Sequence, residues 1–168
     1  MTTIVFDGRY VVADGRSTMG MAITGRSIQK IWEFEAVLRG QPTRVVFGGA
    51  GRFETIQLIK EWLEQGHDPF NCFDTEQIVP EVDGKDFEGM LVTQGGQVFD
   101  LEDALIPLEA EAPKYMGSGG MFAAAFLDSG LNGIEAIRRT MNLDAGTGGQ
   151  VRAFDTVEWR WVDPDTLK

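Results

Sequence analysis

The chain has 168 residues, 43% of them hydrophobic and 24% charged, which predicts one globular domain over residues 1–168 with a core of its own. Its 26 acidic and 15 basic residues leave a net charge of −11, which argues against a nucleic-acid partner, since phosphate binding needs clustered Lys and Arg. A single cysteine, Cys72, excludes a disulfide framework, and a single histidine, His67, excludes a His-based triad or a zinc site of several histidines; no metal or cofactor is expected.

Cys72 reads as a buried or incidental thiol of a reducing compartment, and His67, in a Gly-His-Asp-Pro turn, as an exposed loop residue. No apolar run reaches the ~20 residues of a membrane span, and no signal-peptide pattern opens the chain. The expected location is the cytoplasm, with no membrane partner.

In chain order, Thr3–Phe6 and Tyr10–Asp14 read as short strands joined at Asp7-Gly8, a hairpin turn signal. Lys30–Glu35 and Thr43–Phe47 form a second pair around Arg39-Gly40-Gln41-Pro42. Arg52–Gln65 carries Phe53, Ile56, Leu58, Ile59, Trp62 and Leu63 at helical spacing and stops at Gly66. Glu88–Thr93 and Gln97–Leu101 flank the hairpin turn Gln94-Gly95-Gly96. Met121–Leu127 and Gly133–Met141 read as helices, and Val151–Phe154 and Val157–Val162 as closing strands. Strand blocks bracketing helix blocks indicate an α+β fold.

Thr2 directly follows Met1. Methionine aminopeptidases remove Met before a small residue, and that cut would leave a hydroxyl and a free α-amine on one residue. An amine of pKa about 7.7–8.0 can take the proton from its own hydroxyl, the Thr/N-terminal-amine way of activating a nucleophile. Thr3 could fill this role only if processing removed two residues.

Further segments accompany this start. Thr2-Thr3-Ile4-Val5 leads into Val11-Val12-Ala13-Asp14-Gly15-Arg16-Ser17-Thr18, followed by Gly25-Arg26-Ser27-Ile28-Gln29-Lys30-Ile31. Later come Val45-Val46-Phe47-Gly48-Gly49-Ala50-Gly51, Gly117-Ser118-Gly119-Gly120 and Asp144-Ala145-Gly146-Thr147-Gly148-Gly149. In order and approximate spacing, from Thr2 to about Val151, the chain resembles the β-type subunits of proteasomes, most nearly the bacterial HslV type. The resemblance implies the N-terminal-nucleophile hydrolase fold, a four-layer αββα sandwich of two antiparallel sheets between helical layers.

It also implies roles. Thr2 matches the nucleophile, with its amine as base. Lys30 matches a lysine that favours the alkoxide and holds the amine neutral, and Asp14 the carboxylate such a buried lysine requires. Gly48 matches the glycine whose N–H forms the oxyanion hole. Ser118 matches a serine that hydrogen-bonds the terminal amine, with a plain helix N-cap as its competing reading. Asp144 and Thr147 match the acid and hydroxyl of an Asp-x-x-Ser-Gly-Gly element, with Thr where many members have Ser. Thr18 matches a residue whose main chain binds extended substrate, and Ile28, Trp32 and Val46 fall near positions lining a first specificity pocket, implying an apolar P1 residue.

Two departures stand out. Residues 67–85 are rich in turn formers where relatives carry a long second helix, so that helix is expected to be shortened or absent. Arg52 follows Gly51 where relatives have Ala-Asp, a cation at a helix start that needs an acidic neighbour.

The function so implied is a threonine endopeptidase subunit acting on polypeptides in a homo-oligomeric ring. No Walker-type motif is present, so any AAA+ unfoldase would be a separate protein. Two other functions fit the same residues. One is a catalytically inactive structural, assembly or inhibitor subunit, which follows if Met1 is retained, because an acylated amine is no base. The other is an amidase of the same fold acting on a small substrate.

Overall fold

Residues 1–71, 80–82, 86–102 and 105–167 are described by the computed structural model. Cys72 and most of the stretch where a shortened or absent second helix is expected lie outside the described residues. The first half contains β1 (Ile4–Phe6), β2 (Tyr10–Ala13), β3 (Ser17–Met19), β4 (Ala22–Gly25), β5 (Ile31–Leu38), β6 (Gln41–Gly51) and α1 (Phe53–Glu64). The second contains β7 (Phe87–Thr93), β8 (Val98–Leu101), β9 (Pro107–Ala110), β10 (Lys114–Met116), α2 (Gly120–Asp128), α3 (Gly133–Thr140), β11 (Arg152–Asp155) and β12 (Arg160–Val162). The fold is mixed α+β, with three sheets and three helices among the described residues. None of those helices is long and apolar enough to cross a membrane. The chain divides into two compact units, 1–31 with 111–168, and 32–110.

The first unit is a five-stranded antiparallel sheet in the order β10-β1-β2-β11-β12. Its core joins Val5, Val12 and Ala153 of the sheet to Ala123 and Leu127 of α2 and Ile134, Ala136 and Ile137 of α3. Asn132 caps α3, its side chain accepting from the Glu135 N–H at 3.0 Å. Asp7 fixes the hairpin turn to that helix. One carboxylate oxygen accepts from Arg9 and Tyr10 N–H, and the other accepts from Gly133 N–H at 2.7 Å.

Register then sets up the site. Ile4 lies opposite Met116 on one side and opposite Ala13 on the other. One antiparallel step beyond these pairs brings Asp14 beside Thr3, where the Asp14 N–H donates to the Thr3 carbonyl at 3.1 Å. The Gly117–Gly119 loop follows β10 along the other flank of the same segment.

Residues 17–25 form a separate two-stranded hairpin that carries no strong alternation in sequence, and it is absent from the sequence reading. The last strand also departs from expectation. Asp155 accepts from the N–H groups of Val157 and Glu158 and turns the chain back, so residues 157–159 form a turn and β12 begins only at Arg160. The Trp159 and Trp161 alternation has another origin: both rings pack edge-on against Phe154.

The second unit is a sheet in the order β5-β6-β7-β8-β9 with α1 on one face. Phe47 is fully buried and stacks between Trp32 and Phe87, while Ile56, Ile59, Trp62 and Leu63 bring the apolar stripe of α1 onto it. β6 continues through Gly48, Gly49 and Gly51 against β7 rather than ending near Phe47 as the sequence reading has it. The glycines permit this, because a Cβ at Gly49 would enter Ile56, and Gly51 lies at φ +118 against the backbone of Asp86. Arg52 meets its acidic neighbour: its guanidinium lies 3.5 Å from Asp86 at an exposed position. His67 corrects another expectation, being half-buried and stacked on Trp62 with ring centroids 5.4 Å apart.

Candidate active site

Asp14, at the end of β2, is 1% exposed, and both its oxygens are engaged. Oδ1 accepts from Lys30 Nζ at 2.7 Å and from Thr3 N–H at 2.9 Å. Oδ2 accepts from Gly148 N–H at 3.0 Å and Arg16 N–H at 3.2 Å. Four donors on one buried carboxylate compensate its desolvation.

Lys30, just before β5, is 6% exposed. Its three ammonium hydrogens have three acceptors: Asp14 Oδ1 at 2.7 Å, the Arg16 carbonyl at 2.6 Å and the Met1 carbonyl at 3.3 Å. Its pKa is lowered from the ordinary lysine value. Desolvation is the main cause, and the nearby Arg16 charge adds to it, while Asp14 and Asp144 pull the other way. The Met1 carbonyl belongs to the peptide bond preceding Thr2, so the ammonium sits beside the atom that becomes the Thr2 amine once that bond is cut.

Thr2 and Thr3 are both buried. Thr3 Oγ1 lies 2.5 Å from Thr147 Oγ1, and Thr147 Oγ1 donates to Asp144 Oδ2 at 2.5 Å. Asp144 Oδ1 accepts from Gly146 N–H, which closes the Asp144–Thr147 loop on itself. Ser118 Oγ faces the Thr2 carbonyl at 3.5 Å, the long limit of a hydrogen bond. Ser118 is not the N-cap of α2; that position is Gly119, without a side-chain cap. Thr18 Oγ1 accepts from the Met1 ammonium at 3.2 Å.

The first unit therefore brings together Thr2, Asp14, Thr18, Lys30, Ser118, Asp144 and Thr147. Ile28 lies in the same unit and is half-buried, its N–H donating to the Gly15 carbonyl at 2.9 Å. Trp32, Val46 and Gly48 belong to the second unit: Trp32 packs on Phe47, Val46 is fully buried, and Gly48 pairs with Met90. Their implied roles stay expectations of the sequence.

Two participants, Arg16 and Gly148, have no role in the sequence reading, and Thr3, there only the competing nucleophile, has a different one here. Arg16 supplies a carbonyl to Lys30 and an N–H to Asp14, and its guanidinium donates to the Ala145 carbonyl at 2.6 Å. Gly148 supplies an N–H to Asp14. Thr3 links by hydroxyl to Thr147. The hydrogen bonds of the first two to Asp14 and Lys30 come from backbone atoms, which side-chain identity does not reveal. No clustered His, Cys, Asp and Glu set able to hold a metal occurs among the described residues.

Chemically, a buried lysine with a lowered pKa, fixed by a carboxylate beside a hydroxyl-bearing residue, can hold or move a proton at that residue. No protein-family profile and no curated protein matches the chain. Its fold is similar to that of Thiobacillus denitrificans BPH in complex with epoxomicin, with TM-score 0.62 and 13% identity over 91% of this chain and 96% of that one. A second structure, of Thiobacillus denitrificans BPH, gives TM-score 0.64 and 11% identity over 91% of this chain and 95% of that one. At these identities the likeness is one of fold.

Proposed function

We propose that the protein is a threonine peptidase of the N-terminal-nucleophile type, with the four-layer αββα fold, in which Thr2 is the nucleophile after removal of Met1. The observation that carries this reading is the position of Lys30. Its ammonium is buried, tied to Asp14, and directed at the carbonyl of the residue preceding Thr2. Cutting that peptide bond removes one of its three acceptors and leaves the freed donor facing Thr2. The Thr2 α-amine then takes the hydroxyl proton as Oγ1 attacks a peptide carbonyl. The scissile C–N bond breaks and the new amine leaves with that proton. Water activated by the same α-amine then hydrolyses the acyl-enzyme, and a proton returns to Oγ1. Lys30 stabilises the alkoxide, while Asp14 fixes Lys30 and Asp144 with Thr147 fixes the loop alongside.

Support from outside the site comes from the fold, which is similar to that of a protein solved in complex with epoxomicin, a proteasome inhibitor. Polypeptide substrates, a homo-oligomeric ring and a separate unfoldase belong to the same proposal.

The test is an intact mass spectrum before and after treatment with a peptide epoxyketone, a reagent that closes a ring with a neighbouring amine and hydroxyl. The expected result is loss of one methionine and then one stoichiometric adduct that Thr2→Ala abolishes. Retained Met1, or a processed chain that takes up no probe, overturns the proposal in favour of a non-catalytic assembly or inhibitor subunit.

A further inference from the structure

Thr3 is 0% exposed, yet the proposed chemistry does not use its side chain. Its backbone is bound to Asp14 through both N–H and carbonyl. Its hydroxyl turns toward the other carboxylate. Thr147 spends its only hydroxyl proton on Asp144 Oδ2, so in the 2.5 Å contact between the two threonine oxygens Thr3 is the donor. Hydroxyl protons thus run in one direction, from Thr3 through Thr147 to Asp144.

The space around this relay is closed. A Cβ at Gly119 would collide with Thr3 Oγ1 and stand 2.5 Å from Thr147 Oγ1 and 2.9 Å from Asp144 Oδ2. The residue directly after Thr2 is therefore bound by its backbone to Asp14 and by its side chain to Asp144.

From this geometry we infer that Thr3 is a positioning residue: its hydroxyl, relayed through Thr147 to Asp144, fixes Thr2 against Lys30. The inference rests on the reading of Thr2 as nucleophile. Thr2 and Thr3 share a peptide bond, so any shift of Thr3 is passed directly to the Thr2 Cα, and reacting groups tolerate little displacement.

The full-length chain as wild type, Thr3→Val, Thr3→Ser and Thr147→Val is treated with a peptide epoxyketone. The adduct is followed by intact mass, giving kinact and KI separately, with thermal melts of each variant. Thr3→Val, nearly isosteric, is expected to lower kinact on the order of 10²-fold while leaving KI nearly unchanged. Thr3→Ser, which restores the hydroxyl, is expected to return kinact to near the wild-type value.

A kinact for Thr3→Val equal to wild type, or a Ser variant no faster than Val, overturns the inference. Should Thr3→Val fail to fold, Thr147→Val breaks the same relay from the other side. A wild-type kinact there, or a slow but folded Thr3→Ser, is equally fatal. A wild-type chain that takes up no probe removes the nucleophile reading, and this inference with it. Equal labelling of every variant removes only the role of Thr3.

Discussion

Lys30 Nζ lies 2.7 Å from Asp14 Oδ1, and both side chains are almost wholly excluded from solvent. Such a pair is worth little net stability when complete but leaves a costly charge when halved. Lys30→Met is therefore expected to lower unfolding free energy by about 3–5 kcal/mol in a denaturant titration. Asp14→Asn added to Lys30→Met should return part of that loss. Equal stability of the single and double variants would contradict the pairing.

Asp155 gives the pH dependence. Desolvation pushes its pKa up, but hydrogen bonds from Arg9 and from the N–H groups of Glu158 and Val157, with the Arg9 charge, hold it below 3.8. The unfolded chain then binds more protons than the folded one between that depressed value and 3.8. The Asp155 contribution is thus present above 3.8 and lost as pH falls through the folded value. Asp155→Asn should flatten the acid limb of stability against pH, as read by melts between neutral and strongly acidic buffer.

Gly119→Ala should be far more damaging than a surface Gly→Ala change. Its methyl would displace Thr3, Thr147 and Asp144 from one another. Overpacking of this kind costs about 1–3 kcal/mol. The loss of epoxyketone labelling should exceed what that destabilisation explains. Wild-type labelling in a folded Gly119→Ala protein would show that the three side chains can move apart without consequence.

Phe47 tests the second unit. It is fully buried, stacked between Trp32 and Phe87. Phe47→Ala should cost about 3–5 kcal/mol, read as an earlier denaturant midpoint. Phe47→Leu should recover much of it.

Elements with strong local signals were legible in the sequence. The period of Arg52–Gln65 gave α1 within a residue at each end, and Asp7-Gly8 gave the β1–β2 turn. Strands β9 and β10 left no signal, being three or four residues long and held by neighbours rather than by their own pattern. Of the seven residues the resemblance marks as catalytic, Thr2, Asp14, Lys30, Ser118, Asp144 and Thr147 lie in one unit and Gly48 lies in the other. The roles of Thr3, Arg16 and Gly148 are not legible because burial and backbone contacts come from register, which depends on strands distant in the chain.

The division of the first unit between residues 1–31 and 111–168 has a consequence for the order of events during synthesis. Residues 32–110 form a continuous stretch that can collapse on its own contacts while the chain is still growing. Thr2, Asp14 and Lys30 leave the ribosome early, but the Ser118 hydroxyl facing Thr2, the Gly148 N–H that binds Asp14 and the strand β11 that pairs with β2 follow only later. On the proposed reading, a nascent chain halted before residue 144 lacks the Asp144–Thr147 loop and is idle. On that reading, hydrolysis is expected to begin only when translation is nearly complete.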